Sequence, residues 1–150
     1  MRHLADQENP TAIVRVLQRT IDDCAVACLA MVTGLPYEEV LKETGLPQFL
    51  QSVSDPAAFQ KRQDEMNSMF MGFLAKLGYG VMYSPSLKRY PGRRYIADVN
   101  IRHPLTKELG ALGHHIVIDE HGIAFDPSTE AKQSYEICRL REIIWVGIAS

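Results

Sequence analysis

No sign of charge prevails in this chain: 16 Lys and Arg face 18 Asp and Glu, and the net charge is −2. Without a one-signed field, neither nucleic acid nor an anionic membrane surface is the expected partner, and a substrate-sized or protein partner is the better expectation. Long hydrophobic runs are missing too. Nothing approaches the ~18 consecutive apolar residues of a membrane span, and the polar, acidic opening from Met1 to Pro10 is unlike a secretory signal. A cytoplasmic protein is expected. Cysteine is scarce and odd in number, three in all. That argues against a disulfide framework and agrees with a reducing compartment and at least one free thiol. No repeat, low-complexity stretch or linker divides the sequence. Its 150 residues, 46% of them hydrophobic, suit one cored domain better than two, with residues 1–10 as a loose arm. Nothing fixes an oligomeric state.

What is present centres on the stretch from Gln18 to Gly34, where a polar turn feeds Cys24 into the start of an apolar run. Thr20, Asp22 and Asp23 are helix N-cap residue types, and Thr20 stands three before Asp23 in a spacing close to a capping box. The helix should begin within a residue or two of Cys24, and Gly34 should end it. From Val26 to Val32 no charge interrupts it, which marks a helix buried on all faces. A thiol in the first turn of such a helix lies beside unpaired N–H groups and the positive end of the macrodipole, both of which favour thiolate.

Ahead of it, residues 12–17 are short and β-branched and read as a strand. After it, Pro36 occupies a first helical position for a short helix over Tyr37 to Glu43, and a long helix is expected from Ala57 to Leu77. Its apolar positions fall near Phe59, Met66, Met69, Phe70, Phe73, Leu74 and Leu77, with Met66, Met69 and Met71 read as core filling rather than a binding surface. The period then changes. Strands are expected at Val81 to Ser84, Arg94 to Ile101, His114 to Asp119, Ile123 to Asp126 and Arg141 to Ile148. Helices fill the first half and strands the second, an α+β order with antiparallel pairing.

A cysteine nucleophile needs a base, a group that orients the base, and donors for the oxyanion. The hairpin through Glu120-His121-Gly122 supplies the first two. With a two-residue His121-Gly122 loop, which suits a glycine at positive φ, His115 shares a face with Asp126 while His114 points away. A three-residue loop reverses this and places His114 with Asp126. Gln18, six residues before Cys24, could offer its amide to an oxyanion beside the Cys24 backbone N–H.

The run Gln18-x5-Cys24, with Asp23 before the cysteine and Ala-Cys-Leu-Ala-Met after it, resembles the papain-like cysteine peptidases, and most of all the bacterial double-glycine leader peptidases. His115-Ile-Val-Ile followed by Ile123-Ala-Phe-Asp126-Pro127 is similar to that family's His strand and Asp-Pro. The order agrees from about Val14 to Trp145, the middle only by secondary structure. The resemblance implies a papain-like fold, a helical lobe with a central buried helix on an antiparallel sheet. It implies Cys24 as nucleophile, His115 as general base and then acid, Asp126 as the orienting residue and Gln18 in the oxyanion hole. Peptide-bond cleavage follows, without metal or other cofactor. Ala25 stands where leader peptidases commonly carry glycine, and no transporter follows, so the resemblance carries hydrolysis and not export-coupled processing. Acyl transfer and a silent binding module are alternatives on the same fold.

The remaining chemistry-bearing residues have plainer readings. Cys28, one turn on, is packing, and Cys138 near the last strand is structural. Cys24, Cys28, His114 and His115 make a poor tetrahedral zinc set. His3, His103 and His121 read as solvated. Lys88 to Tyr95, the one basic cluster with tyrosines interleaved, reads as a solvated tip or a rim for an acidic substrate.

Overall fold

A computed structural model describes residues 12–19, 23–45, 56–99, 114–128 and 135–147. Among these residues three helices, α1 (Cys24–Thr33), α2 (Tyr37–Thr44) and α3 (Pro56–Lys76), precede five strands. The strands are β1 (Tyr79–Tyr83), β2 (Arg94–Val99), β3 (His114–Ile118), β4 (Ala124–Phe125) and β5 (Ile137–Trp145). They form one sheet in the order β1-β5-β2-β3-β4, every neighbour antiparallel. The α+β expectation holds in order and in pairing.

Helix α1 is the centre of the core. All ten of its residues are buried, in keeping with a run that has no polar stripe. It packs with Phe70, Phe73, Leu74 and Leu77 of the α3 region and with Ile96, Val117 and Ile143 from one face of the sheet. Enclosing a side chain such as Leu29 or Met31 contributes about 1.5–3 kcal/mol. Gly34, at φ 75°, takes the left-handed conformation that ends the helix, its N–H donating to the Ala30 carbonyl at 2.9 Å. The other sheet face gathers Tyr95, Ala97, Val99, Ile116, Ile118 and Leu140, with Tyr135 and Ile137 against them.

Several expectations are corrected. Residues 12–17 are not a strand: the chain there has no sheet ladder. It is tied instead through Arg15 Nε to the Asp126 carbonyl at 2.7 Å and through the Gln18 N–H to the Pro127 carbonyl at 2.8 Å. β-branched residues favour extended backbone, but a strand also needs a partner along its length. Pro36 is the N-cap of α2 rather than its first residue. Of the three methionines of α3, only Met66 is buried; Met69 is exposed and Met71 half-buried. The last strand starts at Ile137, four residues before Arg141, and so includes Cys138. The side chain of Phe59, the caps Thr20 and Asp22, the arm at 1–10, His3 and His103 lie outside the described residues.

The β3–β4 turn is the correction that matters most for the site. Val117 pairs with Phe125 and Ile118 with Ala124, a register that leaves Glu120, His121 and Gly122 as a three-residue loop. Asp119 and Ile123 close it, with the Asp119 N–H on the Ile123 carbonyl at 3.0 Å. The cause is Asp119. Its Oδ1 accepts the backbone N–H groups of His121 at 2.9 Å and Ile123 at 2.8 Å, holding the turn one residue wider than the two-residue form. Gly122 supplies the left-handed residue at φ 78° that such loops end on.

Candidate active site

Cys24 is the first residue of α1, 5% exposed, and the helix begins where its sequence placed it. Asp23 is the N-cap residue, but its carboxylate does not cap. Wholly buried, it accepts the Arg19 N–H at 2.8 Å and the Tyr37 hydroxyl, so it anchors the turn that delivers the thiol. Tyr37 is also covered by the Arg19 guanidinium, 4.1 Å from the ring centre. The residue before Cys24 thus pins the approach to α1 against α2.

Two histidines act on the thiol. His115 Nδ1 lies 3.3 Å from Cys24 Sγ, and the charge of His114 also bears on it. Successive residues on a strand point to opposite faces, so the two imidazoles arrive with different company. His115 shares the helix-covered face with Val117. Its Nε2 meets Asp98 Oδ1 at 3.1 Å, and Asp98, directly opposite in the β2–β3 ladder, is paired in turn with Arg141. Arg141 is itself buried, its second nitrogen donating to Asn67 Oδ1 at 3.0 Å and its guanidinium lying over the rings of Phe70 and Tyr83.

His114 opens the other face. Its Nε2 meets Asp126 Oδ1 at 2.7 Å, while Asp126 Oδ2 accepts the Tyr135 hydroxyl at 2.7 Å and Oδ1 the Ser128 N–H at 2.8 Å. The three-residue loop has therefore put Asp126 with His114, and the expected His115–Asp126 pair is not formed. His115 remains beside Cys24 with a different acid behind it. Gln18 is held next to this end of the hairpin by its bond to the Pro127 carbonyl.

The electrostatics follow from this arrangement. Burial alone would push the Cys24 thiol up, but the charge and hydrogen bond of His115, with the charge of His114, bring it down to about 6. Burial likewise opposes charge on His115, and Asp98 and Cys24 overcome it, raising the imidazole to about 10. Asp98 is buried, yet His115 and Arg141 hold its carboxyl well below the usual range. Asp126 is held low against its own burial by His114, the Ser128 N–H and Tyr135, and His114 is raised by Cys24 and Asp126 against its burial. Cys28, fully enclosed one turn below, is pushed far up by that enclosure and is packing, as expected.

Sequence reasoning missed Asp98 and Arg141. One signal was available: in β2, Asp98 falls on the same face as Ile96, in a strand whose residues from Tyr95 to Val99 are otherwise apolar, and an acid there is buried rather than solvated. His121 is exposed, as expected, but the basic cluster is not simply solvated: Arg93, half-exposed, pairs with Glu142 at 3.1 Å, and Arg94, 12% exposed at the start of β2, pairs with Glu120 at 2.7 Å. Among the described residues no group of three or more His, Cys, Asp and Glu is placed to hold a metal ion, and no single helix is long and apolar enough to cross a membrane. Compared with family models, curated proteins and solved structures, the chain matches none.

Proposed function

We propose that the protein is a papain-like thiol hydrolase that cleaves an amide or peptide bond through Cys24. The observation that carries this is the thiol at the start of the buried helix α1, 3.3 Å from an imidazole that has a carboxylate behind it. The helices-then-sheet order supports the papain-like reading, and a thiol brought down to about 6 is mostly thiolate at neutral pH. The substrate is a peptide or protein, and the reducing cytoplasm is the compartment in which such a thiol keeps its activity.

In this reaction the Cys24 thiolate adds to the carbonyl carbon, a C–S bond forms and the π pair moves to oxygen. The oxyanion meets the Cys24 backbone N–H and the Gln18 amide. As the oxyanion collapses the C–N bond breaks, and the amine leaves with a proton from an imidazolium beside the thiol. A thioester remains. Water then gives a proton to that imidazole and its hydroxide adds to the thioester; the C–S bond breaks, a carboxylic acid leaves, and thiolate and imidazolium are restored.

The test is acylation by p-nitrophenyl acetate followed by mass spectrometry of the intact chain, in water and with glycinamide added as an ordinary amine acceptor. The expected result is one acetyl group on Cys24 that is lost to water, and no adduct at that site in Cys24→Ser. An acyl group that leaves only when the amine is present makes the protein a transferase. Failure to acylate Cys24 overturns the proposal and leaves a binding module.

A further inference from the structure

The acid behind His115 is Asp98, 3.1 Å from its Nε2, which leaves Asp126 without the role of orienting that base. We propose that Asp126, clasped by His114 and Tyr135, is instead a positioning residue for Gln18: it fixes the run 126–128 on which the Gln18 backbone hangs. This inference rests on the thiol-hydrolase reading and on the place that reading gives the Gln18 amide, and it names a residue that acts through Gln18.

Three groups converge on the Asp126 carboxylate, which is 5% exposed. Oδ1 meets His114 Nε2 at 2.7 Å and accepts the Ser128 N–H at 2.8 Å, and Oδ2 accepts the Tyr135 hydroxyl at 2.7 Å. A carboxylate only accepts, and all three groups donate to it. The bond from Ser128 folds the chain into a turn over 126–128. His114 ties that turn to the start of β3, and Tyr135 ties it to the chain just ahead of β5.

What the turn presents is a row of carbonyls. Arg15 Nε donates to the Asp126 carbonyl at 2.7 Å, the Gln18 N–H to the Pro127 carbonyl at 2.8 Å, and Arg15 Nη2 to the Ser128 carbonyl at 2.5 Å. Three successive carbonyls therefore take the segment 15–18, which has no sheet ladder to set its place. The next amide is tied as well. The Arg19 N–H donates to Asp23 Oδ2 at 2.8 Å, and Asp23 is the residue covalently joined to Cys24. Two consecutive backbone amides thus hold Gln18, one against the end of the hairpin that carries His115, the other against the residue ahead of the thiol.

That is the placement an oxyanion donor requires. Such donors act by being preorganised, and a misplacement of ~1 Å can cost about 10²-fold in rate. Removing Asp126 leaves the Cys24–His115 pair its own acid and takes away the anchorage of Gln18.

The test compares two reactions of Cys24 in the full chain, both read by peptide-resolved mass spectrometry. Alkylation by iodoacetamide needs only the thiolate. Acylation by p-nitrophenyl acetate needs the thiolate and also passes through an oxyanion, and its phenolate leaves without a proton. The ratio of the two rates therefore reports the oxyanion site, whatever the thiolate fraction. In Gln18→Ala the ratio is expected to fall about 10²-fold. In Asp126→Ala it should fall about tenfold or more. Gln18→Ala combined with Asp126→Ala should fall no further than Gln18→Ala alone, because the effect of Asp126 passes through Gln18. Arg15→Met, at an exposed position, removes the contacts to the carbonyls of 126 and 128 and should lower the ratio by less.

An unchanged ratio in Asp126→Ala overturns the inference, and where that variant does not fold, an unchanged ratio in Arg15→Met does so. Losses that multiply in the double variant overturn it too. So does an Asp126→Ala protein whose alkylation falls as far as its acylation, which would make Asp126 a partner of the base. Native Cys24 that does not acylate overturns the hydrolase reading, and a ratio that Gln18→Ala leaves unchanged removes Gln18 from the oxyanion site; either result takes this inference with it.

Discussion

Asp98 stands directly opposite His115 in the β2–β3 ladder, its carboxylate 3.1 Å from the His115 Nε2, although the two residues come from strands separated by residues 100–113. Because Asp98 also pairs with Arg141, its carboxylate balances two buried cations. Taking its charge away should cost stability before it costs anything else. Asp98→Asn is expected to lower the unfolding free energy by about 3–5 kcal/mol, since it strands both His115 and Arg141. Urea unfolding measures this, and Asp98→Asn combined with Arg141→Met should lose less than Asp98→Asn alone.

Cys24 should be distinguishable from the other thiols by its pH profile. With its pKa lowered to about 6, its alkylation rate is expected to rise through that pH and flatten above pH 7. Cys28, enclosed and pushed far up, should not react in the folded protein. Peptide-resolved mass spectrometry after brief iodoacetamide exposure reads both at once.

The same ion pair predicts how stability depends on pH. Cys24 falls from an ordinary 9.0 to about 6, so its contribution is complete above 9 and declines as pH drops toward 6. His115 rises from 6.5 to about 10, so its contribution is complete below 6.5 and declines as pH climbs toward 10. Between 6.5 and 9 the opposite slopes cancel, because the folded pair and the unfolded pair hold the same number of protons. The pair's contribution should therefore be level across that window and fall on either side. Comparing native and Cys24→Ser unfolding from pH 5 to 10 isolates it. On the acid side a further loss is expected below the usual aspartate pKa of 3.8, where Asp98 and Asp126 must take up protons.

Gly122 tests the turn that sets the register. A side chain there meets no neighbour, so the cost of Gly122→Ala is the left-handed backbone alone, at φ 78°. The expected loss is about 1–2 kcal/mol in chemical denaturation.

Much of the site was legible because it is local. The start of α1 follows from cap-type residues ahead of an uninterrupted apolar run, and with it the place of Cys24. The adjacency of His114 and His115 to a downstream Asp126-Pro127 was equally plain. What could not be read was which acid each histidine takes. That choice turns on one residue of loop length, and Asp119, whose side chain fixes it, looks in sequence like the end of a strand. Asp98 and Arg141 were hidden for a different reason: their roles depend on pairings between β2, β3 and β5 that no local pattern encodes. Residues 12–17 mark the converse limit, where composition gave an extended chain and no ladder.

The position of β5 has a consequence for how the molecule comes into being. Among the described strands it is the last in chain order yet lies between β1 and β2, so until it is added those two have no common neighbour and the sheet is divided. Arg141, the cation that Asp98 shares with His115, arrives on that same strand. During synthesis the thiol, both histidines and both aspartates will have left the ribosome before the strand that locks them together. A nascent chain ending before Ile137 should hold Cys24 and His115 without the Arg141 cation beside Asp98, so the buried ion pairs are completed only when β5 is added.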